Sequence, residues 1–454
     1  MKNITLFFRK YFPTPGKKLL LFIFILNFTS YNLWRDWRGN SHPFISDSDQ
    51  YYSYIIATFI HHDLGFHFKS KFWLMQSPEG GKVPKVSMGL AYIMLPFFLV
   101  ADGVAYLTGA PNDGYSAPYA FGIYYGTILI VFLGLIFLRK ILLRWFSENV
   151  TAWTVASIYF GTNLFYYTLG WNTLTHSYLF TLFVFFIYLT IRWYETFRLK
   201  HLVWMGLVFG LITLIRPTEI VLVFIFVLWG IGNFADMKLR ILLFYSKKFQ
   251  LILCGLLVLV PWMPQMLYWK YYTNQFFFYS YGNEGFYYFH PQFLNVLLSY
   301  RKGWLVYTPI MIFSLAGFFF LRKRCKDSFA GITVTFLITF YLISAWWAWW
   351  WGGCFGMRAL VHHYAYLAFP MAACYDFILN RFKKIIIYFV ISVMMFYSLY
   401  CSYRYKSLVI HWDSMTKEAF WFGFFKVRWS SREESKEFEK MLEEPDYSKR
   451  GEKF

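Results

Sequence analysis

Two carboxylates one residue apart, Asp47 and Asp49, stand in Ile45-Ser-Asp-Ser-Asp-Gln-Tyr-Tyr-Ser-Tyr54, directly after a long apolar segment. An ionised acid beside a bilayer is costly unless it meets water or a partner, so acids there mark a candidate site. Unusual cations gather on the same side of the chain's topology. They are Lys82 and Lys85, Arg216 beside Glu219, Arg301-Lys302, and Arg358 after the tryptophan-rich run from Trp346. A carboxylate that takes a proton from an attacking hydroxyl or amine, facing cations that stabilise a departing phosphate, is chemistry these residue types support. The structural alternative for Asp47 and Asp49 is capping of the next helix, where Asp is favoured. One can cap while the other reacts. Tyr51, His176, Arg301 and Lys302 join them as candidate substrate contacts. Against these stand a hydrogen-bonded structural histidine and arginines or lysines that reach lipid headgroups.

The elements that must position these residues are membrane helices. Of 454 residues, 58% are hydrophobic and 15% charged, whereas soluble proteins carry roughly a quarter charged residues. Apolar runs recur from Lys18 to Arg404, each bounded by basic or polar residues, as membrane helices require. The net charge of +20 comes from Lys and Arg in short loops between apolar segments. It therefore speaks for orientation in a membrane and against nucleic acid. Cys254, Cys325, Cys354, Cys374 and Cys401 lie in or beside apolar segments without CxxC spacing, and read as apolar residues. His61-His62-Asp63 is no metal site by spacing, because neighbours on a helix point apart. No metal is assigned; a divalent ion is compatible with the sequence but unsupported by it. The basic stretch Met1–Lys18 reads as the flank of an uncleaved first span.

Basic clusters in short loops stay cytoplasmic. The clusters at Arg9/Lys10, Arg139/Lys140, Arg192/Arg198, Lys238/Arg240, Arg322/Lys323/Arg324 and Arg381/Lys383 each delimit an even number of crossings. About eleven spans satisfy this rule: 19–34, 119–138, 152–169, 175–192, 202–215, 219–232, 249–266, 304–321, 329–350, 359–377 and 385–403. The segment 87–108, interrupted by Pro96 and Asp102, is expected to be re-entrant or interfacial, and 49–62 a surface helix. The pair 202–215 and 219–232 is half-length, broken at Arg216-Pro217, a pattern that lines cavities. The fold class is thus an all-α polytopic membrane domain over 1–405, with outer loops 35–118 and 267–303. Residues 406–454 form a charged tail on the outer face, with a short solvated helix that frays.

The chain resembles the GT-C superfamily of integral-membrane glycosyltransferases, which contains the protein O-mannosyltransferases and aminoarabinose transferases. More closely, it is similar to a bacterial branch described as glycosyltransferase-like membrane proteins. The carrying residues are Asp47-Ser-Asp-Gln-Tyr-Tyr52, Val86-Ser-Met-Gly89 leading to Leu95-Pro-Phe97, and Thr175-His-Ser177. Further along come Gly210-Leu-Ile-Thr-Leu-Ile-Arg-Pro-Thr218, Tyr300-Arg-Lys-Gly303 to Thr308-Pro309, and Trp350-Trp-Gly-Gly-Cys-Phe-Gly-Met-Arg358. The match runs in order over 30–405.

The resemblance implies an inverting single displacement on a polyprenyl-phosphate-linked sugar at the outer face of a bacterial cytoplasmic membrane. The N-terminus would be cytoplasmic and the C-terminus outside. No further cofactor is implied, and the acceptor would be an envelope glycan, lipid or protein. An acid of the first outer loop serves as base in that family. Asp47 matches the leading acid, but Ser48 separates it from Asp49 where related branches have adjacent Asp-Glu, so either carboxylate remains a candidate. Arg216 and Arg358 are the expected phosphate ligands. Lys85 corresponds loosely to a phosphate-binding lysine, although the Lys-Pro-Pro run around it is absent. Two rival functions remain: a flippase or transporter for lipid or polysaccharide, and a non-catalytic scaffold of envelope assembly. Transporters tend to show paired half-repeats and mid-membrane charges, and this sequence shows neither.

Overall fold

In a chain this apolar, backbone N–H and C=O groups must be satisfied within each segment, which helices do. The computed structural model describes residues 11–30, 44, 47–68, 74–77 and 82–451, and is mostly helical. Ile45, the basic residues Arg9 and Lys10, and the end of the first apolar segment lie outside the described residues. The principal helices, in chain order, are α1 (Pro15–Thr29), α2 (Asp47–Ile55), α3 (Gly89–Thr108), α4 (Ala117–Leu142), α5 (Glu148–Phe160) and α6 (Thr175–Thr196). They continue as α7 (Leu199–Ile215), α8 (Lys248–Thr273), α9 (Ile312–Arg324), α10 (Lys326–Ala345), α11 (Tyr364–Arg381) and α12 (Lys384–Lys406). Among the described residues six helices are long and apolar enough to cross a membrane: α3, α4, α6, α8, α10 and α12. The expected eleven are not all present as unbroken helices of that length.

Helix α11 is the centre of the packing, with every residue from Tyr364 to Tyr375 buried. It packs against α9, where Gly317 meets Pro370 so closely that a Cβ would stand 1.8 Å from the Pro370 carbonyl oxygen. Helices α7 and α8 meet over Gly206 and Gly210, a small-xxx-small contact that lets backbones approach. A two-stranded antiparallel hairpin, β1 (Leu74–Gln76) with β2 (Lys82–Pro84), precedes α3.

Charge sorts to the two ends of this bundle. At one end the basic loop residues pair with the few acids there: Arg139 with Glu148, Arg144 and Arg192 with Glu195, and Arg324 with Asp376. At the other end lie Asp47, Lys85, Glu284, Arg358 and Asp413.

The structure differs from the sequence reading in five segments. The segment 87–108 is not interrupted: α3 runs through Pro96 unbroken, and Asp102 accepts a hydrogen bond from the Tyr119 hydroxyl at 2.6 Å. The expected surface helix is buried from Gln50 to Ala57, because Tyr52 donates to the Gly114 carbonyl at 2.7 Å and Tyr54 to that of Val86 at 2.8 Å. The expected spans 152–169 and 304–321 are each broken, at 161–163 and around Pro309. The tail does form a helix, α13 (Arg432–Lys440), but does not fray through Gly451. Tyr447 donates to Asp413 at 3.0 Å, and Arg450 pairs with Glu284 at 2.6 Å.

Candidate functional site

Helix α2 opens with Asp47, and Tyr51 lies one turn later on the same face. Asp49, two residues on, points elsewhere. Tyr115, whose phenol is pushed up first by burial and then by the Asp49 charge, marks that direction. Asp47 instead meets Arg358, with Oδ2 3.2 Å from Nη1, and keeps 42% of its side chain exposed. Tyr51 feels Tyr281, Arg216, Asp47 and Arg358 electrostatically, and its burial raises the phenol well above its ordinary value. It is therefore a neutral hydrogen-bond donor at physiological pH.

Arg358 reaches this point from the turn that ends the loop 346–357. Burial opposes its charge, but Asp47 and then neighbouring thiol and phenol groups more than compensate, so the guanidinium holds its proton tighter than usual. The loop is fixed by partners from distant elements. Asn163 Nδ2 and the Tyr167 hydroxyl both donate to the Phe355 carbonyl at 3.1 Å, and Phe355 N–H returns a bond to Tyr167 at 3.0 Å. Lys302, 1% exposed, donates from Nζ to the carbonyls of Cys354 and Trp412. Two of its three N–H donors thus go to backbone carbonyls, which makes it a clamp on the loop, whereas the sequence reading expected a substrate contact. Arg301 donates to the Asp413 carbonyl at 2.8 Å and also lines the tryptophan-rich cleft described below.

Arg216 sits where α7 ends, in extended backbone ahead of the 3-10 turn Pro217–Leu222. Its guanidinium lies 5.3 Å over the Trp351 ring, and among the described residues it has no hydrogen bond or ion pair. Trp351 holds a left-handed φ of 58°, a conformation that costs a bulky residue of order 1–3 kcal/mol and persists only when its surroundings impose it. Its indole N–H donates to the Ile343 carbonyl at 3.3 Å.

Tyr51, Arg216 and Trp351 border a cavity of about 220 Å³, lined also by Lys85, Tyr281 and Trp346 and by the apolar Leu214, Ile215, Trp262 and Trp269. Lys85 lines it with its Nζ 2.6 Å from Glu284 and 4.6 Å over the Tyr281 ring. Beside it, an apolar cavity of about 570 Å³ runs between α3 and α8, past Tyr54, Phe59, Leu95 and Leu267. On the opposite side Trp346 is shared with a cleft of about 430 Å³ lined by Trp347, Trp349, Trp350, Asn295 and Asp446.

Asp47, Tyr51, Arg216, Arg358 and Lys85 are thus brought together. Of these, Tyr51, Arg216 and Lys85 line the cavity; Asp47, Arg358, Asp49, Arg301, Lys302 and His176 do not. His176 is 2% exposed, with Nδ1 3.4 Å from Nδ1 of His362. Sequence reading missed Tyr281 and Glu284, which arrive from a long loop whose only sequence signal is its aromatic content. It also missed His362 and His363, which face Glu219.

No protein-family model matches the chain, and no curated protein matches it. Among solved structures it is similar to the crystal structure of the Archaeoglobus fulgidus oligosaccharyltransferase tethered with an acceptor peptide. Identity is 15% and the TM-score 0.48, over 98% of this chain and 61% of that one. This chain therefore spans under two thirds of that protein's length.

Proposed function

We propose that this protein is an inverting glycosyltransferase that moves a sugar from a polyprenyl-phosphate donor to an acceptor at the outer face of the membrane. One observation carries the reading. An accessible carboxylate, Asp47, is paired to Arg358 within electrostatic reach of Tyr51, which lines a cavity with a cationic and an apolar side, and Arg216 waits in that cavity with only an aromatic face as partner.

An anionic lipid suits both halves of this cavity. The phosphate lies between Arg216 and Arg358, each able to offer paired N–H donors to its oxygens. The prenyl chain leaves past Trp262 and Trp269 into the apolar groove between α3 and α8. Phosphate then competes with Asp47 for Arg358, and the carboxylate is released as the donor binds. The acceptor comes from the tryptophan-lined cleft that shares Trp346. Its hydroxyl oxygen attacks the anomeric carbon on the face opposite the phosphate, while its proton passes to Asp47. The carbon–oxygen bond to phosphate breaks, and the charge on the departing polyprenyl phosphate is held by Arg216 and Arg358. One displacement inverts the anomeric configuration.

The test is transfer by the purified protein in liposomes, with labelled polyprenyl-phosphate sugars and mixed envelope acceptors. Asp47→Asn is expected to lower turnover by about a hundred- to ten-thousandfold while donor binding persists. Wild-type turnover in that variant would overturn the base assignment. Movement of donor lipid across the bilayer with no transfer to any acceptor would favour the flippase instead.

A further inference from the structure

Behind the cavity, Glu219, His362 and His363 form a cluster that the reaction above does not use. One ligand atom from each lies within 4.8 Å of the other two, and all three residues are buried. His362 Nε2 is 3.1 Å from Oε1 of Glu219, and His363 Nε2 is 3.6 Å from Oε2. Consecutive histidines on a regular helix point apart. These lie in the turn between the 3-10 segment Arg358–Leu360 and α11, so their rings come within 4.1 Å and face the same carboxylate.

Hydrogen bonding alone does not account for the cluster. His362 Nε2 makes no hydrogen bond despite its closeness to Glu219, and His363 Nδ1 has no partner, although the two residues are 0% and 1% exposed. Buried polar atoms are rarely left so. The contact of His362 Nδ1 with His176 Nδ1 at 3.4 Å sharpens the point. If Nδ1 donates there, Nε2 presents a bare lone pair to a carboxylate oxygen, and two such atoms need a cation between them. That contact is also how ligating histidines are oriented from behind.

We propose that Glu219, His362 and His363 hold a divalent transition-metal ion of the zinc class. Two imidazoles and one carboxylate form a ligand set for such ions. Metal–ligand bonds of 2.0–2.1 Å in a tetrahedron put ligand atoms about 3.3 Å apart, between the two separations observed. A cavity of about 20 Å³, lined by Glu219, His363, Arg216, Thr218 and Trp351, leaves room for one water as fourth ligand. The ion would tie the turn after the Arg216-Pro217 break to the start of α11, and put a second positive charge near Arg216. The meaning of that charge for a donor phosphate rests on the functional reading above; the metal site itself does not.

The experiment is elemental analysis of the full-length protein in lipid nanodiscs, after loading with Zn²⁺ or Mn²⁺ and removal of free ions. About one tightly held ion per chain is expected, removed by a chelator with a fall in melting temperature and restored by Zn²⁺. Glu219→Gln and His363→Ala are each expected to abolish retention, and His61→Ala to leave it unchanged. Should these variants fold poorly, Co²⁺-loaded wild type still reports through the visible absorption of a tetrahedral N/O site. Wild type that retains no ion after loading, or variants that retain it fully, would overturn the proposal. Neither readout involves sugar transfer, so failure of the metal site and failure of the glycosyltransferase reading remain distinct.

Discussion

At the scale of single residues, the structure separates groups that sequence spacing leaves together. Asp47 and Asp49 are two positions apart, so once a helix begins at Asp47 they cannot share a face. Only Asp47 meets Arg358. Asp49→Asn is therefore expected to keep turnover within a few-fold of wild type, in contrast to Asp47→Asn. Side-by-side transfer assays check this, and equal losses in both would mean that the pair acts as a unit. Lys302 is the opposite case, legible as a cation but not as a clamp, since its partners are carbonyls 52 and 110 residues away. Lys302→Met leaves the Cys354 carbonyl without its donor, at about 1–3 kcal/mol for a buried polar group, while the Trp412 carbonyl keeps only the Cys354 N–H at 2.9 Å. A lowered thermal midpoint in detergent is expected, with a smaller fall for Arg301→Ala, whose side chain is only half-buried. Equal midpoints for Lys302→Met and wild type would contradict the clamp.

At the scale of elements, apolar periodicity located most helices and misjudged their breaks. Pro96 reads as an interruption, yet α3 tolerates it, because neighbouring helices can satisfy what a proline frees. Arg216-Pro217 also reads as a break and is one. The two prolines differ in the residue ahead of them: Arg216 takes an extended conformation that α7 cannot continue, whereas Leu95 stays helical. The packing that aims Arg216 lies a few residues earlier. At Gly210 a Cβ would stand 2.3 Å from the Val258 carbonyl oxygen, and at Gly206 2.6 Å from that of Cys254. Backbone cannot step aside as a side-chain tip can. Gly210→Ala is expected to part α7 from α8 and cost about 1–3 kcal/mol, shifting Arg216 as well. Thermal unfolding measures the first effect, and a raised KM for donor the second. A variant with unchanged midpoint and KM would show that the close approach is not needed.

At the scale of the whole molecule, the tail was legible as charged material and not as part of the cleft. Charge runs usually mark solvated segments, and what holds this one down is a handful of aromatic and hydrogen-bonded contacts beside the Arg450–Glu284 ion pair. Tyr447 packs on Trp350 with ring centroids 5.8 Å apart and donates to Asp413, and Tyr287 donates to the Lys449 carbonyl. Asp413 is the acid at the centre of this contact. Burial alone would raise its carboxyl, but His411, then Ser414 and Tyr447, outweigh burial and hold it below the usual aspartate range. A lowered carboxyl stabilises the docked form at pH above its unfolded value, about 4. That stabilisation is lost as pH falls through the lower folded value. Undocking would uncover Trp347 and Trp350 and open the cleft assigned to the acceptor. Tryptophan emission should therefore stay constant from neutral pH down to about 4 and shift to the red below it. Asp413→Asn should shift emission at neutral pH and remove the acid-dependent step. A red shift already complete well above pH 4 would place control of the cleft on a group other than this carboxylate.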